Sequence, residues 1–175
     1  APLPPGADTV PVLISKSAAA LRQHTGGKII AEYDDFTVVE LDAPAAARLS
    51  ALPGVDVRAD FSKIFLNAGT LDTATPEIQA LRRTVMTSAA GAGGKQLRLI
   101  QFGGPIKPEW VAALQKTGAQ IVDAIPSNAY LIYGDAAALA AADALADNNA
   151  AVRWSAAYQP AWRIHPAVDR LGGGQ

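Results

Sequence analysis

The chain has 175 residues, half of them hydrophobic and 18% charged, with a formal net charge of −1 and no cysteine. That is too apolar for a disordered chain, too near neutral for the clustered positive charge that nucleic-acid binding draws on, and without thiol chemistry of any kind. No apolar run approaches the roughly 18 residues of a membrane-spanning helix, so composition predicts a globular protein with no nucleic-acid and no membrane partner.

From the first residue, Ala1-Pro2-Leu3-Pro4-Pro5-Gly6 reads as an extended lead over residues 1–8, of the kind left when a signal peptide is removed from a secreted protein. An apolar strand follows from Val10 to Ile14, then a helix from Ser17 to His24 closed by Gly26, then a strand from Lys28 to Tyr33. Asp34 and Asp35 make a turn into a β-rich run from Phe36 to Leu41. Asp42 is placed to cap a helix running to Leu52, and Val57 to Phe61 closes the unit as a strand.

The same order then recurs, and a repeat outweighs any single motif. Leu97 to Phe102 is a strand, Pro108 to Lys116 a helix stopped by Gly118, and Gln120 to Ile125 a strand. Pro126-Ser127-Asn128 turns the chain into Ala129 to Tyr133, Asp135 caps a helix to Leu145, and Val152 to Ser155 closes the second unit. The predicted fold class is therefore α+β: two tandem ferredoxin-like β-α-β-β-α-β units, each a four-stranded antiparallel sheet with two helices on one face. The units span residues 9–67 and 96–165, joined by a helical connector and Gly-rich hinge over 68–95 that starts at Thr75-Pro76 and ends in Gly91 to Gly94. Residues 166–175 read as a flexible tail. A unit of about 60 residues with one helical layer has a marginal core, and its other sheet face is predicted to stay bare, inviting a partner or the sibling unit.

Catalytic constellations are missing from this pattern. The two histidines, His24 and His165, lie far apart, no serine sits in a nucleophile elbow, and two histidines without cysteines do not make a zinc site. Gly103-Gly104 follows a strand but lacks the dinucleotide and P-loop patterns and reads as a turn before Pro105. We therefore expect no catalytic residue, no metal and no cofactor. Trp110 sits among Val111 and Leu114 as a core anchor, whereas Trp154, Tyr158 and Trp162 either cover the last sheet or anchor an interface.

Several segments carry a family resemblance. Leu99-Ile100-Gln101-Phe102, Gly104-Pro105-Ile106, Glu109-Trp110, Ile125 through Leu131, and Val152-Arg153-Trp154 through Ala161 resemble the N-terminal propeptide region of secreted bacterial subtilisin-like serine proteases. Ile64 to Asn67 is similar to the leading part of that region. The resemblance implies a non-catalytic, secreted intramolecular chaperone and inhibitor, whose partner is the protease catalytic domain, engaged through a sheet face and a C-terminal extension. It nominates Tyr130, Trp154, Tyr158, Trp162, Ile164 and His165 as partner-contact residues. The Gly172 to Gly174 run departs from a pocket-filling tail, which puts a cleavage point at Gln175 in doubt. The competing expectation is a regulatory module that binds a small molecule between paired ferredoxin-like units.

Overall fold

The computed structural model describes residues 9–18, 26–82, 94–148 and 151–163. In chain order these form β1 (Thr9–Ser15), a 3-10 turn (Lys16–Ala18), β2 (Lys28–Glu32), β3 (Phe36–Asp42), α1 (Ala43–Leu49) and β4 (Val55–Val57). A 3-10 turn (Ala59–Ser62), β5 (Lys63–Leu66), β6 (Gly69–Asp72) and the single-turn α2 (Pro76–Gln79) come next. The chain then runs through β7 (Gln96–Phe102), α3 (Pro108–Lys116), β8 (Gln120–Ile125), β9 (Ala129–Gly134), α4 (Ala136–Asn148), β10 (Val152–Ala157) and a last 3-10 turn (Pro160–Arg163). None of the described helices is long and apolar enough to cross a membrane. The lead over 1–8, most of the predicted Ser17–His24 helix, the hinge glycines 91–93 and the tail over 166–175 lie outside the described residues.

The protein is α+β, with every strand pairing antiparallel. One four-stranded sheet has the order β2-β3-β1-β4, another the order β8-β9-β7-β10, and β5 with β6 forms a separate hairpin. Local chemistry sets the helix starts. The carboxylate of Asp42 accepts from the Ala45 amide at 2.6 Å, and that of Asp135 accepts from the Ala138 amide at 2.8 Å. Each satisfies an amide that the first helical turn leaves without a backbone partner. Where the sequence predicts a helical connector, the chain instead first makes β6. Ile64 and Leu71, directly opposed in the hairpin, are the apolar residues that hold it down.

The bare sheet faces expected from the sequence are covered inside the molecule. Alternation along β3 sends Val39 and Leu41 toward α1, with Val12 and Ile14 from β1, while Val38 points the other way into a core shared with the second half. That shared core joins Ile30, Val38 and Phe61 to Phe102, Trp110 and Leu114. Phe102 and Trp110 stack with ring centres 5.4 Å apart. The Gly103-Gly104-Pro105 turn is the point of closest approach. A Cβ on Gly103 would stand 2.6 Å from Ile30 Cγ2, so glycine is required for the loop to seat on β2. Tyr33 stacks on Phe36 and donates its hydroxyl to the Pro105 carbonyl at 2.6 Å.

The second sheet is sandwiched. Ile100, Ile132, Leu139 and Ala142 form its helix side, and Leu99, Ala129, Trp154 and Ala156 its opposite side. Ile64 and Leu71 from the hairpin, Ile78 and Leu81 from around α2, and Trp162 lie over that opposite side. Trp154 is fully buried there and donates its indole N–H to the Ile78 carbonyl at 3.1 Å. Both helix-free faces thus lie under internal cover, without which each would leave several aliphatic side chains in water at about 1.5–3 kcal/mol apiece.

Burial, reinforced by the nearby carboxylate of Glu109, pushes the Tyr33 hydroxyl from its ordinary 10.0 up to about 12. The folded state therefore holds this proton more tightly than the unfolded chain, so the associated stability is complete below pH 10 and is lost as pH rises toward 12. Urea midpoints measured across that range should show wild type losing its advantage over Tyr33→Phe. A gap between the two that stays constant with pH would show that the hydroxyl is not buried at this contact.

Candidate functional site

Two places in the fold concentrate chemistry that packing alone does not demand. The first is a buried polar cluster between the two halves. A bulge in β10 falls between Val152 and Trp154, so Arg153 is the extra residue, and its side chain leaves the ladder. Its guanidinium pairs with Glu40 of β3, the two side chains being only 6% and 14% exposed, and its Nε donates to the Thr73 hydroxyl at 3.3 Å. Burial pulls the Arg153 guanidinium down to about 10, still charged at neutral pH. Gln101, fully buried on β7, accepts from Thr73 Oγ1 at 2.7 Å and donates from Nε2 to the Lys63 and Ser127 carbonyls. Arg98 is buried on the helix side with Asp143 at 3.3 Å, and burial lowers its pKa too. Both buried guanidinium groups thus face a carboxylate of the protein itself, Arg153 locking the halves together and Arg98 tying β7 to α4.

The second place is a cleft of about 250 Å³ where the cover over the second sheet stops short of its β8 edge. Its floor is the cross-strand pair Asp123 and Leu131 together with Ile125, its near wall Phe65 and Leu66 of β5, and its far wall Tyr158 and Trp162. Alternation along β5 produces the near wall: Ile64 is fully buried and its neighbour Phe65 is 45% exposed. Tyr158 meets Trp162 edge to face at 5.7 Å and donates its hydroxyl to the Trp162 carbonyl at 3.1 Å, which fixes both rings. Beside the cleft, β8 is the last strand of its sheet, and among the described residues no strand pairs with its outer edge. Val122 on that edge is 51% exposed. The cleft lining combines aromatic side chains and a carboxylate with the outer edge of β8 beside it, a combination that suits binding of polypeptide.

The structure brings Trp154, Tyr158 and Trp162 together, but in different roles. Trp154 lies beneath the cover as part of the core, with Trp162 tilted over it at 6.3 Å. Tyr158 and Trp162 line the cleft. Tyr130 is on the opposite face of the sheet, half-buried and edge-on to Phe102 at 6.3 Å. Ile164 and His165 lie outside the described residues, as does His24. Sequence reasoning missed Phe65, Asp123, Ile125 and Leu131. A usable sign was present in Asp123, a lone carboxylate inside the otherwise uncharged run Gln120 to Ile125.

A family model described as a domain of unknown function (DUF8729) matches residues 65–159, more than half of the chain. The chain belongs to the DUF8729 family. No curated protein and no solved structure matches it. The DUF8729 match begins at Phe65, in the strand that covers the second sheet, and runs through β10. It therefore takes in the cleft lining from Phe65 to Tyr158, with Trp162 just beyond it. Glu40, which ties the DUF8729 segment to the first sheet through Arg153, lies outside the match.

The lock between the halves has a measurable energetic signature. Glu40→Leu strands a buried guanidinium and should cost about 3–5 kcal/mol in urea denaturation, whereas Glu40→Leu combined with Arg153→Met should recover most of that loss. A single substitution that leaves stability unchanged would show that the pair is not desolvated.

Proposed function

We propose that this DUF8729 protein is a secreted, non-catalytic pro-region of the kind that accompanies subtilisin-like serine proteases, acting as intramolecular chaperone and inhibitor. In this reading it is built from two tandem ferredoxin-like units. The observation that carries the reading is the cleft at the β8 edge. Tyr158 and Trp162, nominated from sequence as partner contacts, line it together with Asp123 and Ile125 of the edge strand β8. The equal strand orders of the two sheets, each in the sequence 4-1-3-2 of a split β-α-β arrangement, support the tandem-unit part of it.

The surface that grips the protease differs from the open sheet face that the sequence suggests. Both helix-free faces already carry internal cover. The partner is instead received at the β8 edge and its cleft, where an extended segment finds backbone groups to pair with and a pocket for a side chain. Side chains of Ile30, Val38 and Phe102 fill the space between the halves, which weighs against a small molecule at that interface. The cleft, at about 250 Å³, lies at the small end of the roughly 300–1,000 Å³ of ordinary small-molecule pockets.

Added in trans to a mature subtilisin-like protease from the same secreted precursor, the chain should inhibit it slowly and tightly and speed its refolding from denaturant. Absence of both effects at micromolar concentration would remove the pro-region reading.

A further inference from the structure

The first sheet holds a filled version of the same seat. In each sheet the edge strand next to the hairpin turn carries a bulge at the same place, between Ile29 and Ala31 in β2 and between Ile121 and Asp123 in β8. Pairing across the hairpin matches Ala31 opposite Val38 with Asp123 opposite Leu131. The extra residue is Ile30 in one and Val122 in the other. Ile30 is buried under the Gly103-Gly104 turn, whereas its counterpart Val122 is 51% exposed. What covers the first seat is a polypeptide turn that ends in a cation. Lys107 lays its ammonium over the Tyr33 ring at 4.8 Å and donates to the Glu32 carbonyl.

Resting on the polypeptide-binding reading above, we infer that the β8 cleft is a seat for an arginine or lysine side chain presented by a partner polypeptide. Three features separate it from a general apolar notch. Asp123 stands where the first seat has Ala31, so the floor that is neutral in the filled seat is anionic in the open one. Tyr158, Trp162 and Phe65 wall the cleft with aromatic rings, which attract a cation through their negative faces. The cleft's volume suits one long side chain, and the exposed β8 edge beside it can pair with the backbone on either side of that residue. A guanidinium satisfies both the planar rings and the carboxylate, so arginine is favoured over lysine.

The test uses the full chain and fluorescein-labelled heptapeptides that differ only at the central residue: arginine, its neutral isostere citrulline, lysine or glutamate. Fluorescence anisotropy should give arginine at least about fivefold tighter binding than citrulline, with glutamate weakest. Asp123→Asn should bring the arginine and citrulline peptides within about twofold of each other while the melting temperature stays unchanged, since Asp123 is exposed. Equal binding of arginine and citrulline, discrimination that survives Asp123→Asn, or no binding of any peptide at millimolar concentration overturns the cation seat. Protease inhibition measured on the same preparations separates the two claims. Inhibition retained by a chain that does not discriminate arginine sinks the seat alone. Arginine discrimination by a chain that leaves the protease active upholds the seat and sinks the pro-region reading.

Discussion

Two sheets with helices on one side each have a second face to keep out of water, and the chain solves the problem twice with different material. The first sheet is covered by the second half of the molecule through Ile30, Val38 and the Gly103-Gly104-Pro105 turn. The second is covered by the β5–β6 hairpin, α2 and Trp162. Neither half alone has much apolar area, because alanine supplies a large share of its buried positions and contributes little per residue. The shared core and the Arg153–Glu40 pair are therefore what make the parts a single folded body. The bulge at Arg153 lets Val152 and Trp154 of β10 both stay buried while the Arg153 side chain reaches across to Glu40 of β3.

Much of this was legible from sequence. The two aspartate caps, Asp42 and Asp135, the glycine that ends α3, Gly118, and the order of strands within each sheet follow from local chemistry, whereas the strand expected over Val57 to Phe61 stops at Val57 and gives way to the 3-10 turn Ala59–Ser62. What was not legible depends on tertiary choice. Residues 69–72 read as connector, since Gly69 and Thr70 show no strong strand pattern; they become β6 only because Leu71 opposite Ile64 can bury against Leu99 and Trp154. Trp154 and Tyr130 carried the same aromatic sign as Tyr158 and Trp162, yet one lies under the hairpin and the other on the helix side. Side alternation along β9 and β10 decides this, and the bulge at Arg153 shifts that alternation by one residue in a way no periodicity count reveals.

The functional reading follows from what the internal packing leaves over. With both helix-free faces occupied, β8 keeps an outer edge that no described strand pairs with, beside the apolar and aromatic lining of the cleft. Because the first seat is filled by a turn from the chain's own second half, the repeat itself displays the kind of object that such a seat holds. Ala31 of the first sheet and Asp123 of the second hold equivalent register positions, one neutral and the other acidic.

The two halves share the core that joins Ile30, Val38 and Phe61 to Phe102, Trp110 and Leu114, and on that ground fold as one unit. Differential scanning calorimetry of the whole chain tests it directly. One transition whose van't Hoff enthalpy equals its calorimetric enthalpy is the predicted result. Two resolved transitions, or a van't Hoff enthalpy well below the calorimetric value, would mean that the sheets cover themselves separately and would contradict the account.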